Sequence, residues 1–429
     1  MSSLEQLYLL MRSVADARRR LVRGGFEDSA NSDDLDLLRR AGREIDGWPR
    51  RNGRFVLDAG AGRRIETPLS YEVEELRRDI DFFEQGPVAL MQRLSHQRPD
   101  VETEVHALVE RLCESFPPAG SPGTSSGGTG SNAPLRLFIS DRDGTINNYC
   151  GRYRSSVQPA WNALFLCRFA RNAAARSVIL SSAPLDNGGL IDVSVNLEHT
   201  FVYAGSKGRE YCSESGSRGS YAIEPQRQEL LDRFNDRLQQ LLDSNDNHIF
   251  TLIGSALQFK FGQTTVARQD VDNTVSEEKS QQFLDSVRRL VEELDPHERF
   301  LRIEDTGKDI EIILTVGDDE RAGDFDKGNG IDYLDRELGL ELEKGGALIC
   351  GDTASDLPMA RLAVERSADN VVLFVGAGEE LARQVRAVAP AAIFVPAPDV
   401  LVCGLDRYSR AVHSNAADRK TAGRKPDGV

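Results

Sequence analysis

No run of eighteen apolar residues occurs in this chain, so nothing in it reads as a helix that spans a bilayer. The six cysteines, at 113, 150, 167, 212, 350 and 403, never pair as CxxC. That spacing argues against a zinc site and against a disulfide frame. Six histidines are scattered, none at ligand spacing from another. Positive charge is also short: 53 Lys and Arg against 68 Asp and Glu leave a net −15. This is the wrong sign for a general nucleic-acid binder or for a protein that lies on an anionic membrane. The opening MSSLEQLYLLMRSVADARRR lacks the order of a secretory signal, because its apolar stretch is short and cut by charge. The expectation is a soluble, cytoplasmic protein with neither nucleic acid nor membrane as partner.

With 429 residues, 40% of them hydrophobic, the chain can build two or three globular domains. The plainest boundary is PPAGSPGTSSGGTGSNAP, a Gly/Ser/Pro linker over 117–134. Before it, Leu4, Leu7, Met11 and Val14 recur at helical spacing, as do Val105, Leu108, Leu112 and Phe116. Residues 1–116 therefore read as a helical N-terminal domain, with a hairpin in RNGRFVLDAGAGRRIETPLS. It carries no catalytic constellation, and self-association or a partner is its expected use.

After the linker, LRLFIS, SVILSS, ALICGD, VVLFVG and AAIFVP are short apolar runs separated by helical stretches, as a doubly covered parallel sheet requires. HIFTLIGSALQFKFG and RFLRIEDTGKDIEIILTVG read instead as long paired strands, with a helix over 276–294 between them. The predicted architecture is α/β: a Rossmann-like parallel-sheet core (135–184 and 327–410), an inserted α+β cap (185–326) and a disordered tail (411–429).

LFISDRDGTINNY runs a strand into Asp141 and Asp143, which point the same way in an extended chain. Two carboxylates so close need a cation or a shared proton. Gly144 and Thr145 let the backbone turn with amides free for an anion. GDTASD sets Asp352 and Asp356 across a turn at the end of another strand. Hard carboxylate oxygens without His or Cys suit Mg²⁺, with Asp141, Asp143, Asp352 and Asp356 as the metal set. Ser181 ends a third strand, and Lys327 in DKGNG can neutralise a nucleophile and a phosphoryl group. The chemistry is phosphoryl transfer in two steps, with Asp141 as nucleophile and Asp143 as acid and then base, while Ser181, Lys327, Gly144 and Thr145 bind phosphate. Each residue has a plain alternative, a solvated turn for Asp141 and Asp143 or a helix cap for Asp352 and Asp356. Their order along the chain, each at a strand end, favours chemistry.

DRDGT, the Ser-ended strand, the KG lysine and GDxxxD, in that order, resemble the four motifs of the haloacid-dehalogenase superfamily of phosphatases. An insert between the second and third motifs resembles the subgroup with a large α/β cap, and within it the trehalose-6-phosphate phosphatase family. AGSKGRE at 204–210 and GKDIEIIL at 307–314 are similar to that family's segments, over roughly 135–405. The resemblance implies a Mg²⁺-dependent sugar-phosphate phosphatase of trehalose biosynthesis, with trehalose 6-phosphate as substrate and Glu311, Lys207 and Glu210 as sugar contacts from the cap. It leaves open the phosphates of glucosylglycerol, sucrose and mannosylglycerate, a phosphomutase, and a catalytically dead regulatory relative. Where the family carries Arg-Pro after the cap glutamate this chain has Ile313 and Leu314, and LQFKFG stands where a cap His-Tyr-Arg is expected.

Overall fold

The computed structural model describes residues 2–27, 32–60, 62–117, 135–297, 299–315 and 325–422, with side chains up to residue 413. Most of the linker predicted at 117–134 lies outside the described residues. So does the end of the tail beyond 422.

A three-stranded antiparallel sheet, β1 (Arg50–Arg51), β2 (Arg54–Asp58) and β3 (Arg64–Thr67), sits among five helices: Leu4–Glu27, Ser32–Asp46, Ser70–Gln85, Pro87–Gln97 and Val101–Ser115. Leu4, Leu7, Met11 and Val14 are fully buried, as their helical spacing requires. The large sheet holds eight strands: β4 (Leu137–Asp141), β5 (Arg176–Leu180), β6 (Val202–Gly205), β7 (Glu210–Cys212), β8 (Arg218–Ser220), and after the insert β13 (Ala347–Gly351), β14 (Val371–Val375) and β15 (Ile393–Val395). Its order is β15-β14-β13-β4-β5-β6-β7-β8, parallel as far as β6 and antiparallel beyond. The chain leaves β4 toward β5 and later returns on its other side as β13. Ligands bind at such a switch point, outside the carboxyl ends of the strands.

The insert contributes a second antiparallel sheet: β9 (Leu257–Lys260), β10 (Gln263–Ala267), β11 (Leu301–Asp305) and β12 (Asp309–Leu314), in the order β11-β12-β10-β9. Ile310, Ile312 and Leu314 pack on helices Pro225–Leu242 and Glu277–Leu294 through Phe234, Leu238, Phe283 and Val287. The alternate residues Asp309 and Glu311 face the other way.

Three boundaries differ from the sequence reading. The cap does not begin at 185, because Val178 pairs with Val202 and residues 202–220 complete the large sheet. The long strand expected over 248–262 is a 3₁₀ turn, His248–Thr251, followed by the four residues of β9; Gly254 and Ala256 adopt positive φ and break the extended run. The tail expected to be disordered continues helix Pro398–Ala422, whose last turns are rich in Ala, Arg and Lys. No helix among the described residues is long and apolar enough to cross a membrane.

Residues 2–117 are not a detached unit. Leu108, Leu112 and Phe116 share a core with Trp161, Leu401 and Tyr408, and helix Leu4–Glu27 shares one with the insert's Phe250 and Ile310. The helical faces that carry Leu4, Leu7, Met11 and Val14, and Val105, Leu108 and Leu112, are buried in these shared cores.

Candidate active site

Asp141 is the last residue of β4 and pairs with Leu180 of β5, while Ser140 before it pairs with Cys350 of β13. The sheet therefore presents Asp141, Asp352 and Ser181 at one edge. At Gly144 (φ 86°) a Cβ would lie 2.1 Å from Asp352 Oδ2, so only glycine admits that carboxylate. Asp326 caps helix Lys327–Leu338, accepting from the Asn329 amide at 2.9 Å while the Asn329 side chain accepts from the Asp326 amide at 3.0 Å. This reciprocal cap aims Lys327, the first helical residue, back at the sheet edge.

The Lys327 ammonium donates to Asp141 Oδ1 at 2.6 Å and to Asp356 Oδ1. Asp356 Oδ2 accepts from the backbone amides of Asp352 and Thr353 at 3.0 and 2.9 Å. Thr145, fully buried, donates to Asp352 Oδ1 at 3.1 Å and lies 3.3 Å from Asp141 Oδ2. Its hydroxyl, expected on phosphate, ties the two aspartates together here. Ser181 Oγ accepts from the Ala183 amide at 3.1 Å and lines the same cavity.

One oxygen from each of Asp141, Asp352 and Asp356 lies within 4.8 Å of the others. Burial pushes the Asp141 carboxyl up to about 7, Lys327 offsetting part of this and Asp356 adding to it. Burial, then the negative charge of Asp141 and Asp356, pushes Asp352 up to about 8. Burial disfavours the Lys327 ammonium, but Asp141 and Asp356 outweigh it and hold the lysine protonated. The Lys327 ammonium is shared by the buried Asp141 and Asp356, with the half-buried Asp352 beside them, so that when all three carboxylates ionise two negative charges exceed the one positive. An all-oxygen set with that deficit fits a hard divalent cation, with Asp141 and Asp352 as the accessible ligands. The Asp143 carboxylate, expected in the metal set, is not in the cluster. Its Oδ1 accepts from Arg142 and, at 3.1 Å, from Ser156 Oγ, which turn it aside.

Across from the sheet edge the cap closes a cavity of about 240 Å³ with Ser255, Gln258, Lys260, Thr265, Asp309 and Glu311. Glu311 accepts from Gln263 Nε2 at 2.8 Å. Burial lowers the Lys260 ammonium, Glu311 partly restoring it and Lys207 lowering it further. Lys207 and Glu210, expected as sugar contacts, do not line this cavity. The Glu210 carboxylate is spent on the Leu185 amide (3.0 Å) and the Ser206 hydroxyl (2.6 Å), which shape the turn beside β6. A larger hollow of about 660 Å³, between helices Pro87–Gln97 and Pro398–Ala422, lies away from these carboxylates.

The sequence reading missed Gln258, Lys260 and Thr265. A signal existed: in LQFK, Gln258 and Lys260 are buried while Phe259 is 45% exposed. Polar residues facing inward on a strand mark a polar cavity.

Residues 138–401 match the family model described as trehalose-6-phosphate phosphatase, C-terminal. The chain is 32% identical over 276 residues to alpha,alpha-trehalose-phosphate synthase [UDP-forming] 2 of Caenorhabditis elegans, covering 62% of this chain and 22% of that protein. It is 33% identical over 273 residues to the trehalose-phosphatase of Brugia malayi, covering 62% and 55%. The chain thus spans about a fifth to just over half the length of these relatives. A solved structure of a trehalose-6-phosphate phosphatase related protein covers 66% of this chain and 99% of its own, at 14% identity and TM-score 0.44.

Proposed function

From its membership of the trehalose-6-phosphate phosphatase family, to which this chain belongs, we propose that it hydrolyses a sugar phosphate monoester, trehalose 6-phosphate foremost, at the edge formed by β4, β5 and β13. The observation that carries this reading is the convergence of Asp141, Lys327 and Asp352 on one cavity, opposite a polar cap face.

In the first step an Asp141 oxygen attacks phosphorus; the new O–P bond forms as the sugar O–P bond breaks, and Asp143 gives its proton to the departing alkoxide. In the second step water attacks the aspartyl-phosphate and gives its proton to Asp143. The Asp141–phosphorus bond breaks and inorganic phosphate leaves. Lys327 balances charge on the nucleophile and on the phosphoryl oxygens, and the Ser181 hydroxyl holds one of them. Asp141 and Asp352, with Asp356 behind them, would hold Mg²⁺, which would supply further neutralisation of the phosphoryl charge. Lys260, Gln258 and Glu311 offer donors and acceptors to sugar hydroxyls. All six cysteines are free thiols, four of them buried, which supports a reducing cytoplasmic setting.

The test is phosphate release from a panel of sugar phosphates, with Mg²⁺ and with excess chelator. Asp141→Asn is nearly isosteric and should cut kcat at least about a thousandfold while the far-ultraviolet spectrum stays native, since it removes the nucleophile outright. Full activity in the variant reassigns the nucleophile; full activity in chelator removes the metal.

A further inference from the structure

Asp143 owes its position to a loop, and that loop is held by the region before residue 118. Arg142, 2% exposed, donates to Asp143 and to the Ser156 carbonyl, and also reaches Ser156 Oγ at 3.1 Å. Ser156 Oγ donates to Asp143 Oδ1. The fixing shell of Asp143 is therefore Arg142 and Ser156, on two segments of one loop. Asn147 closes the first segment: its carbonyl accepts from the Gly144 amide at 2.8 Å and its amide donates to the Arg142 carbonyl at 3.0 Å.

Both segments end on Tyr71, the second residue of helix Ser70–Gln85. The Tyr71 hydroxyl donates to the Val157 carbonyl at 2.9 Å, next to Ser156, and accepts from Asn147 Nδ2 at 3.1 Å. Burial raises the phenol well above its ordinary value, so it stays a donor at any working pH. The neighbouring Glu72, fully buried, takes the Ser155 hydroxyl at 2.6 Å and the Arg152 guanidinium at 3.2 Å. Arg152 in turn donates to Thr67 Oγ1 and the Pro68 carbonyl, both at 2.7 Å. Such a buried network holds one arrangement only when all its members are present.

We propose that Tyr71 and Glu72 are positioning residues for Asp143, so that the region before the linker serves the proton transfer and not only the fold. This rests on Asp143 being the proton donor, and the test separates the two ideas. An alkoxide leaving from a sugar needs that proton, whereas p-nitrophenolate leaves without it. kcat/KM reports the steps up to formation of the aspartyl-phosphate, so it carries the difference.

In full-length Tyr71→Phe, which deletes only the hydroxyl, kcat/KM for trehalose 6-phosphate should fall roughly ten- to a hundredfold, the cost of a misplaced catalytic group. The loss should sit in kcat, with KM within about twofold, and p-nitrophenyl phosphate should keep its kcat/KM within about threefold. Equal losses on both esters, or none on either, overturn the proposal. Should Tyr71→Phe not fold, Glu72→Gln, which keeps the size of that side chain and removes its charge, is judged by the same split. Asp143→Asn is the control: a split there without one in Tyr71→Phe overturns this proposal alone. No split in Asp143→Asn overturns the reading of Asp143 and this proposal with it.

Discussion

At Asp352 three effects push one way: burial, the charge of Asp141 and the charge of Asp356 all favour the protonated carboxyl. Its folded value of about 8 stands above the ordinary 3.8, so between about pH 4 and pH 8 the folded chain binds protons that the unfolded chain does not. The raised value therefore adds stability at low pH that is lost as pH climbs through the folded value, opposite to the usual carboxylate. A divalent cation binds the ionised form and returns what was lost. Thermal melts in chelator should show Tm falling between pH 6 and pH 8 more steeply in the wild type than in Asp352→Asn. Mg²⁺ should raise the wild-type Tm more at pH 8 than at pH 6. Parallel slopes for wild type and variant would place the titration elsewhere.

The cap sheet works by alternation. Ile310, Ile312 and Leu314 lie on the helices, while Asp309 and Glu311 line the cavity with Gln258 and Lys260 of the edge strand β9. Replacing Lys260 by Met keeps the stem's length and removes the charge. KM for trehalose 6-phosphate should rise roughly ten- to a hundredfold, the range for a lost hydrogen bond to a charged group, with p-nitrophenyl phosphate little affected. A loss common to both esters would mean that Lys260 serves the phosphate rather than the sugar.

This element also shows what could be read in advance. β4, β5, β13, β14 and β15 were legible because a strand buried on both faces is a continuous apolar run, and Asp141, Ser181 and Asp352 followed from their ends. β9 was not legible at its true length, since its polarity is inverted and positive φ at Gly254 and Ala256 interrupts the run before it. Tyr71 and Glu72 carry no local pattern at all. Their meaning lies in contacts with residues 147–157, which only the tertiary fold supplies.

For the whole molecule the question is whether residues before 118 can be removed. Helix Val101–Ser115 buries Val105, Leu108 and Leu112 beside Trp161 and Leu401, and the Tyr408 hydroxyl donates to the Phe116 carbonyl at 2.7 Å. Each such side chain stabilises by about 1.5–3 kcal/mol when buried, so losing these three is comparable to the roughly 5–15 kcal/mol that holds a typical domain together. Truncation also removes a polar contact with the core. Asp79, fully buried, pairs with Arg18 at 2.7 Å and accepts from the Trp161 amide at 3.0 Å. Removing the region takes away both partners of that ion pair and the acceptor of the Trp161 amide. Deleting residues 1–117 should therefore give aggregated or unfolded protein rather than an active phosphatase core. The full chain should unfold in one calorimetric transition, its ratio of van't Hoff to calorimetric enthalpy near one. A soluble, active fragment, or a separate low-temperature transition lost on truncation, would show that the shared cores do not couple the parts. In that case Tyr71 and Glu72 could not be doing their work on Asp143.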